Sequence, residues 1–213
     1  MRHSTMREAG LVALAEALAS RGERAILGIT GAPGAGKSTL GERIVRELGP
    51  GRAVLVPMDG FHLANSVLLE RGLRHVKGAI ETFDDAGYAS LLERLRSQAP
   101  GEVVYAPHFD RSLEEPIAGS IPVRPDVPLV VTEGNYLLAE SGAWPRARAC
   151  LTECWFLEID RPLRHSRLIA RHVAFGKSRE AATAWALGTD EANAALIEAM
   201  SHRADRVVRI RAD

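Results

Sequence analysis

Short, β-branched apolar runs alternate along this chain with longer stretches whose apolar residues recur every three or four positions. Ala25 to Thr30, Ala53 to Met58, Glu102 to Ala106, Leu129 to Thr132, Cys154 to Ile159 and Arg206 to Ile210 read as strands. Gly36 to Leu48 reads as a helix with Leu40, Ile44, Val45 and Leu48 on one face, and Ala86 to Ser97 as another with Leu91, Leu92 and Leu95 inward. Pro162 to His172, Arg179 to Leu187 and Ala192 to Ala204 complete the predicted helices. Apolar strands alternating with amphipathic helices predict a parallel sheet covered on both faces. Pro116 to Pro128 predicts a loop or small hairpin, and the chain carries no internal repeat.

Near the N-terminus, Arg2, His3 and Arg7 precede an apolar stretch from Gly10 to Ala19 that mimics a secretion signal. Glu16 interrupts it, and Leu11, Leu14, Ala15 and Leu18 fall at helical spacing, so the expectation is an amphipathic core helix and a cytoplasmic protein. The chain has 213 residues, which predicts one domain, and no apolar run reaches the ~18 residues of a spanning helix. Lys+Arg and Asp+Glu are both 27, and that balance argues against a nucleic-acid coat or a polybasic membrane binder. Cys150 and Cys154 suit buried, reduced thiols better than a disulfide or metal framework. Only three cations are lysine, so Lys37, Lys77 and Lys177 mark places where a compact ammonium suits better than a planar fork.

The run Gly31, Ala32, Pro33, Gly34, Ala35, Gly36, Lys37, Ser38 fits the phosphate-binding pattern G-x-x-x-x-G-K-[ST], with a predicted strand before it and a helix after it. Backbone N–H groups of such a loop, Thr39 included, close around phosphate oxygens at a helix N-terminus. Lys37 is expected at the β/γ-phosphates and Ser38 on Mg²⁺. No guanine-recognition Asn-Lys-x-Asp occurs, and the chain is too short for an AAA-type motor. Asp59 follows a strand, where residues line the ligand crevice of a parallel sheet, and is the candidate general base; a turn-forming Asp-Gly is the alternative. Glu133 ends another strand and suits the Mg²⁺ shell, or else is a solvated strand-end acid. Arg164, Arg167 and Arg171 share one helix face behind an Asp160 cap, fit to close over phosphates or simply to face solvent. His172, Lys177 and Arg179 lie nearby.

With these motifs in one order, including Asp59-Gly-Phe-His62, Glu81-Thr-Phe-Asp84, Pro107-His-Phe-Asp110 and Glu133-Gly134, the chain resembles the uridine kinase, phosphoribulokinase and type I pantothenate kinase superfamily. It is most similar to uridine kinase-like bacterial proteins, some named fructokinase or fructose-transport kinase, which share Arg71-Gly72-Leu73, Lys77-Gly78 and Trp185 to Asn193. The resemblance implies a three-layer α/β/α P-loop NTPase fold over 1–213, with a helical lid near 161–180 and an acceptor-binding insertion near 60–125. It implies MgATP and transfer of the γ-phosphate to a hydroxyl of a small metabolite, without nucleic acid or membrane; a homodimer stays open. Asp59 matches the base, Asp84 an acid that grips sugar hydroxyls (or a helix cap), and Tyr105 and His108 the acceptor pocket. The expected crevice comprises Asp59, His62, Asn65, Arg74, Lys77, Asp84 and His108, a mix suited to a polyhydroxylated acceptor such as a sugar. Nucleoside or pantothenate is the alternative acceptor, and a slow ATPase switch the alternative class. Asp59-Gly60-Phe61-His62 departs from the Asp-Ser-Phe-Tyr of uridine kinases.

Overall fold

The computed structural model describes residues 2–211. Six parallel strands form one sheet in the order β1 (Arg2–Met6), β8 (Arg206–Ile210), β7 (Glu153–Glu158), β2 (Ala25–Gly31), β6 (Leu129–Glu133), β3 (Ala53–Leu55). Alternate residues of these strands feed two cores. Leu27, Ile29, Leu129, Val131, Trp155 and Leu157 pack with α1 (Glu8–Ala19) and α2 (Lys37–Leu48). Ile26, Val130, Cys154 and Phe156 pack with α4 (Asp85–Arg96), α5 (Trp144–Cys150) and Ile197 of α8 (Thr189–Ala199). That is the expected α/β/α sandwich, and β2 is buried along its whole length because both faces are covered.

Several elements differ from the pattern-based expectation. β1 was not predicted: its sequence Arg-His-Ser-Thr-Met is polar, and as an edge strand it buries little. β3 stops at Leu55; Pro57 follows, and residues Met58–Phe61 wind into a short 3-10 turn instead of continuing the strand. The strand expected at 102–106 runs from Val104 to Asp110 (β4) and pairs antiparallel with Glu115–Val123 (β5), outside the main sheet. Pro107, Pro116 and Pro122 are tolerated because each strand of an isolated hairpin has a free edge. α3 (Asn65–Glu70) and α5 are additional short helices, α8 ends before a 3-10 turn at Ser201–Arg203, and Asp160 makes no side-chain cap to α6 (Arg161–Ala174) but pairs with Arg209 at 3.4 Å. Within 60–125, α4 is not peripheral: Tyr88, Leu92 and Leu95 are fully buried in the main core.

The α1 expectation holds, with Leu11, Ala15 and Leu18 buried. Cys150 and Cys154 are free and buried, and burial pushes the Cys154 thiol up to about 12. Among the described residues no helix is long and apolar enough to cross a membrane.

The 3-10 turn at Met58–Phe61 touches the hairpin closely at one point. A Cβ on Gly60 would stand 2.4 Å from the Pro107 carbonyl oxygen, so backbone meets backbone there. Gly60→Ala is expected to lower stability by about 1–3 kcal/mol, the range of overpacked sites, read as a shift of the urea midpoint at unchanged slope. An unaltered midpoint would show that the hairpin is free to move off the turn.

Candidate active site

Backbone geometry builds the centre of the site. β2 ends at Gly31, the chain turns through residues 32–36, and α2 begins at Lys37. Gly34 and Gly36 stand at φ 84° and 96°, the left-handed region that glycine enters without penalty. A Cβ on Gly34 would also meet Leu168 Cγ at 3.0 Å and the Arg164 carbonyl oxygen at 3.3 Å, so α6 lies directly against the loop. Beside the loop opens a cavity of about 750 Å³, lined by Gly34 to Thr39, Arg111, Leu163, Arg167 and Arg171 and also by Glu8, Glu158 to Asp160 and Arg209 to Arg211. Its size suits a ligand of nucleotide dimensions.

Lys37 is buried, and its Nζ donates to the carbonyl oxygens of Gly31 at 2.9 Å and Ala32 at 3.2 Å. Burial pulls this ammonium down to about 8, although Glu133 and Asp59 oppose that shift. Glu133 ends β6, next to β2 in the register Ile29↔Glu133. Its Oε1 accepts from Ser38 Oγ at 3.1 Å. Burial, then the negative charge of Asp59, raises its carboxyl to about 7. The solvated strand-end alternative for Glu133 is therefore excluded. Asp59 sits in the 3-10 turn, and its Oδ2 accepts from Arg111 Nη2 at 3.2 Å.

The expected row of three lid arginines is two. Arg167 and Arg171 line the cavity, whereas Arg164 is 1 % exposed and turned inward to Glu191. The reason is the helix period: Arg164 and Leu168 share the buried stripe of α6. Glu191 also pairs with Arg161 and accepts from His165 Nε2 at 2.8 Å, and Asp190 meets His172 Nε2 at 2.7 Å. These neighbouring acids in the first turn of α8 thus tie down both halves of α6. Lys177 is exposed, with its Nζ 4.4 Å from the ring centre of Trp185 in α7 (Arg179–Leu187).

The expected acceptor residues divide. His62 does not present a free imidazole: its ring packs 4.0 Å from Phe83 and 4.7 Å from Phe109, its Nδ1 meets the Asp59 carbonyl oxygen at 2.8 Å, and burial lowers its pKa. Asp84 caps α4, accepting from Gly87 N at 2.8 Å, which is the capping alternative. Tyr105 is 59 % exposed because β4 alternates between the inward Val104 and Ala106; a register shift between Ala106 and His108 then changes the phase, so Phe109 turns inward and His108 is exposed. Asn65 and Lys77 meet each other (Nζ to Oδ1, 2.7 Å), and both donate to the Glu114 carbonyl oxygen, so they hold the β4–β5 turn. Arg74 is half-buried beside Lys77, within range of its charge. Of the crevice residues, Asp59 is the one set beside the loop charges. Sequence reasoning missed Arg111, Asp190 and Glu191. Arg111 follows the Pro107-His-Phe-Asp110 motif but belongs to no periodic face; the two acids were legible only as first-turn acids on a helix next to a basic one.

Two expectations follow. Asp84→Ala is expected to cost ~1 kcal/mol of stability, the usual worth of such a cap, with catalytic constants unchanged; a raised acceptor KM would restore Asp84 to the acceptor site. A ligand bringing Mg²⁺ and phosphate favours the Glu133 carboxylate and the Lys37 ammonium. Free Glu133 is mostly protonated at about pH 6.5 and free Lys37 mostly neutral at about pH 8.5, so MgATP binding should release protons at the lower pH and take them up at the higher. Calorimetry in buffers of different ionisation enthalpy reads this, and Glu133→Gln should abolish the release alone. Buffer-independent heats would contradict it.

No protein-family model matches the chain. Over 145 residues it is 34% identical to the ATP-dependent kinase-like protein notR' of Aspergillus versicolor, an alignment covering 64% of this chain and 84% of that one. Over 162 residues it is 31% identical to a provisionally named uridine kinase, C227.14, of Schizosaccharomyces pombe, covering 72% and 68%. A crystal structure from Silicibacter sp. TM1040, provisionally named a fructose transport system kinase, superposes with TM-score 0.84 at 40% identity over 95% of this chain and 98% of that one. With that loop, that sheet and these relatives, the chain belongs to the uridine kinase-like P-loop kinases, phosphotransferases that use ATP.

Proposed function

We propose that this kinase transfers the γ-phosphate of ATP to a hydroxyl of a polyhydroxylated small molecule, a sugar, with Asp59 as the general base. The observation that carries the reading is the position of Asp59: its negative charge is felt at both Lys37 and Glu133, while its part-exposed carboxylate pairs with Arg111, a residue that lines the phosphate cavity. A slow ATPase switch has no use for a carboxylate there.

The residues present suit Mg²⁺. Ser38 Oγ and Glu133 Oε1 lie 3.1 Å apart, and among the described residues no cluster of three or more His, Cys, Asp or Glu is set for a metal. Two oxygen donors, with waters and phosphates completing the shell, are what Mg²⁺ takes in phosphoryl-transfer sites. Bound there, the ion would neutralise charge on the phosphates. Loop N–H groups orient the phosphates, and Lys37 exchanges its two carbonyl partners for phosphate oxygens. Arg167 and Arg171 stabilise charge on the transferring group, and Asp59 accepts the proton of the attacking hydroxyl.

A sugar suits the acceptor side better than a nucleoside. The His62 ring, three residues from Asp59, is engaged by the tilted rings of Phe83 and Phe109 rather than left to take a base, and the charged Arg111 stands at Asp59. The 40% identical relative carries a name that refers to fructose transport, which points the same way. An ADP-release screen over sugars, nucleosides and pantothenate tests the acceptor, with turnover expected on a sugar and turnover confined to nucleosides overturning it. Asp59→Asn is expected to reduce transfer by ~10²–10⁴-fold with ATP affinity retained. Lost affinity would place Asp59 on the metal instead.

A further inference from the structure

We infer that Arg111 is a catalytic residue of this kinase, donating to the transferring phosphoryl group from the acceptor side while it orients Asp59. The inference rests on the reading of Asp59 given above, but not on the acceptor being a sugar.

Arg111 belongs to two places at once. Arg111 lines the cavity together with Gly34 to Thr39, Arg167 and Arg171. Its guanidinium pairs with Asp59 through one N–H at 3.2 Å. A planar fork has further donors on another edge, so it can hold a carboxylate and a phosphoryl oxygen together, which an ammonium on a single contact cannot do as well. Arg111 and Arg171 come from different elements, the hairpin and the lid helix, yet both line the cavity; burial first, and then the charge of Arg111, lowers the Arg171 guanidinium. Cations brought together against their mutual repulsion mark a place built for an anion. Arg164 was the third arginine expected over the phosphates. It is buried on Glu191, whereas Arg111, from the β4–β5 hairpin, lines the cavity beside Arg167 and Arg171.

The segment presenting Arg111 is held on both sides. Asp110 Oδ1 accepts from Ser112 N at 2.8 Å, Ser112 Oγ at 2.6 Å and Leu113 N at 3.2 Å. Past the turn, Lys77 and Asn65 hold the Glu114 carbonyl, Glu114 adopts φ 55°, and the Glu115 carboxylate accepts from Asn65 N at 2.9 Å and 3.0 Å. Phe109 supports the stem, its ring centre 6.0 Å from the Arg111 guanidinium carbon and 5.1 Å from Lys77 Nζ. A simple surface ion pair, worth little, needs no such mounting.

In the step itself, an acceptor oxygen lone pair forms the new bond to the γ-phosphorus. The bond from that phosphorus to the β,γ-bridging oxygen breaks, and its electrons leave with ADP. The hydroxyl proton passes to Asp59. Arg111 transfers nothing: it donates hydrogen bonds to equatorial phosphoryl oxygens, whose charge it stabilises, and through its other contact keeps Asp59 turned towards the acceptor.

The test is Arg111→Ala and Arg111→Lys, measured by single-turnover transfer to the best acceptor of the screen, by ATP hydrolysis to water, by ATP titration and by thermal melting. The alanine variant is expected to lose ~10²–10³-fold in both transfer and hydrolysis, with ATP affinity within about threefold of wild type and the melting midpoint retained. Guanidinium ion added below denaturing concentration should restore part of the rate to the alanine variant, and lysine should recover less than guanidinium does. Transfer and hydrolysis within about threefold of wild type would overturn the inference. So would a loss that comes with a lowered midpoint and no guanidinium rescue, which is the mark of a structural arginine, or a loss of transfer with hydrolysis intact. Hydrolysis uses no organic acceptor, so an Arg111 effect there upholds the inference even if wild-type enzyme phosphorylates no sugar.

Discussion

Lys37, at the start of α2, and Glu133, at the end of β6, carry opposite charges into the protein, and water reaches neither well. Their opposite pulls are visible in the burial-driven shifts, the ammonium down to about 8 and the carboxyl up to about 7. The local partners are weak substitutes for an ionic ligand: two loop carbonyls for Lys37 and one serine hydroxyl for Glu133. A phosphate group and a divalent cation would satisfy both charges together. The rest of the architecture keeps these two groups fixed: β2 and β6 in register, α2 starting where the loop ends, and α6 against Gly34.

The walls of the cavity follow from that centre. On one side α6 is oriented by its buried stripe and by Asp190 and Glu191 of α8, so Arg167 and Arg171 line the cavity while Arg164 becomes an internal strut. On the other side the β4–β5 hairpin, anchored through Lys77, Asn65 and Asp110, carries Arg111 to Asp59. Residues that resemble acceptor ligands in sequence thus do much of their work by holding the element that carries the functional group.

How much of this was legible in the sequence varied with the kind of signal. The loop, α2 and the buried strands were, because Gly-x-x-x-x-Gly-Lys-Ser has one structural solution and apolar strands between helices have few. β1 was not, since a polar edge strand is stabilised by backbone pairing with β8 and leaves no mark in hydrophobic pattern. Helical spacing correctly put Arg164, Arg167 and Arg171 on one side of α6 but could not set the angle at which Leu168 turns that side into the protein. Motif order found the neighbourhood of Asp84, Tyr105 and His108 without their direction. A capping bond and the phase of β4, shifted between Ala106 and His108, decided those. Arg111 was out of reach because its importance comes from tertiary approach to Asp59, 52 positions away in sequence.

The central claim is that the charges of Lys37 and Glu133 are held ready for a magnesium-bound polyphosphate. The most direct measurement is the thermal midpoint with and without saturating MgATP in wild type, Lys37→Ala and Glu133→Gln. Ligand that binds only the folded state raises the midpoint by mass action. The account predicts a large rise in wild type, almost none in Lys37→Ala, and in Glu133→Gln a rise that no longer depends on whether Mg²⁺ accompanies ATP. An equal, magnesium-dependent rise in all three proteins would contradict it.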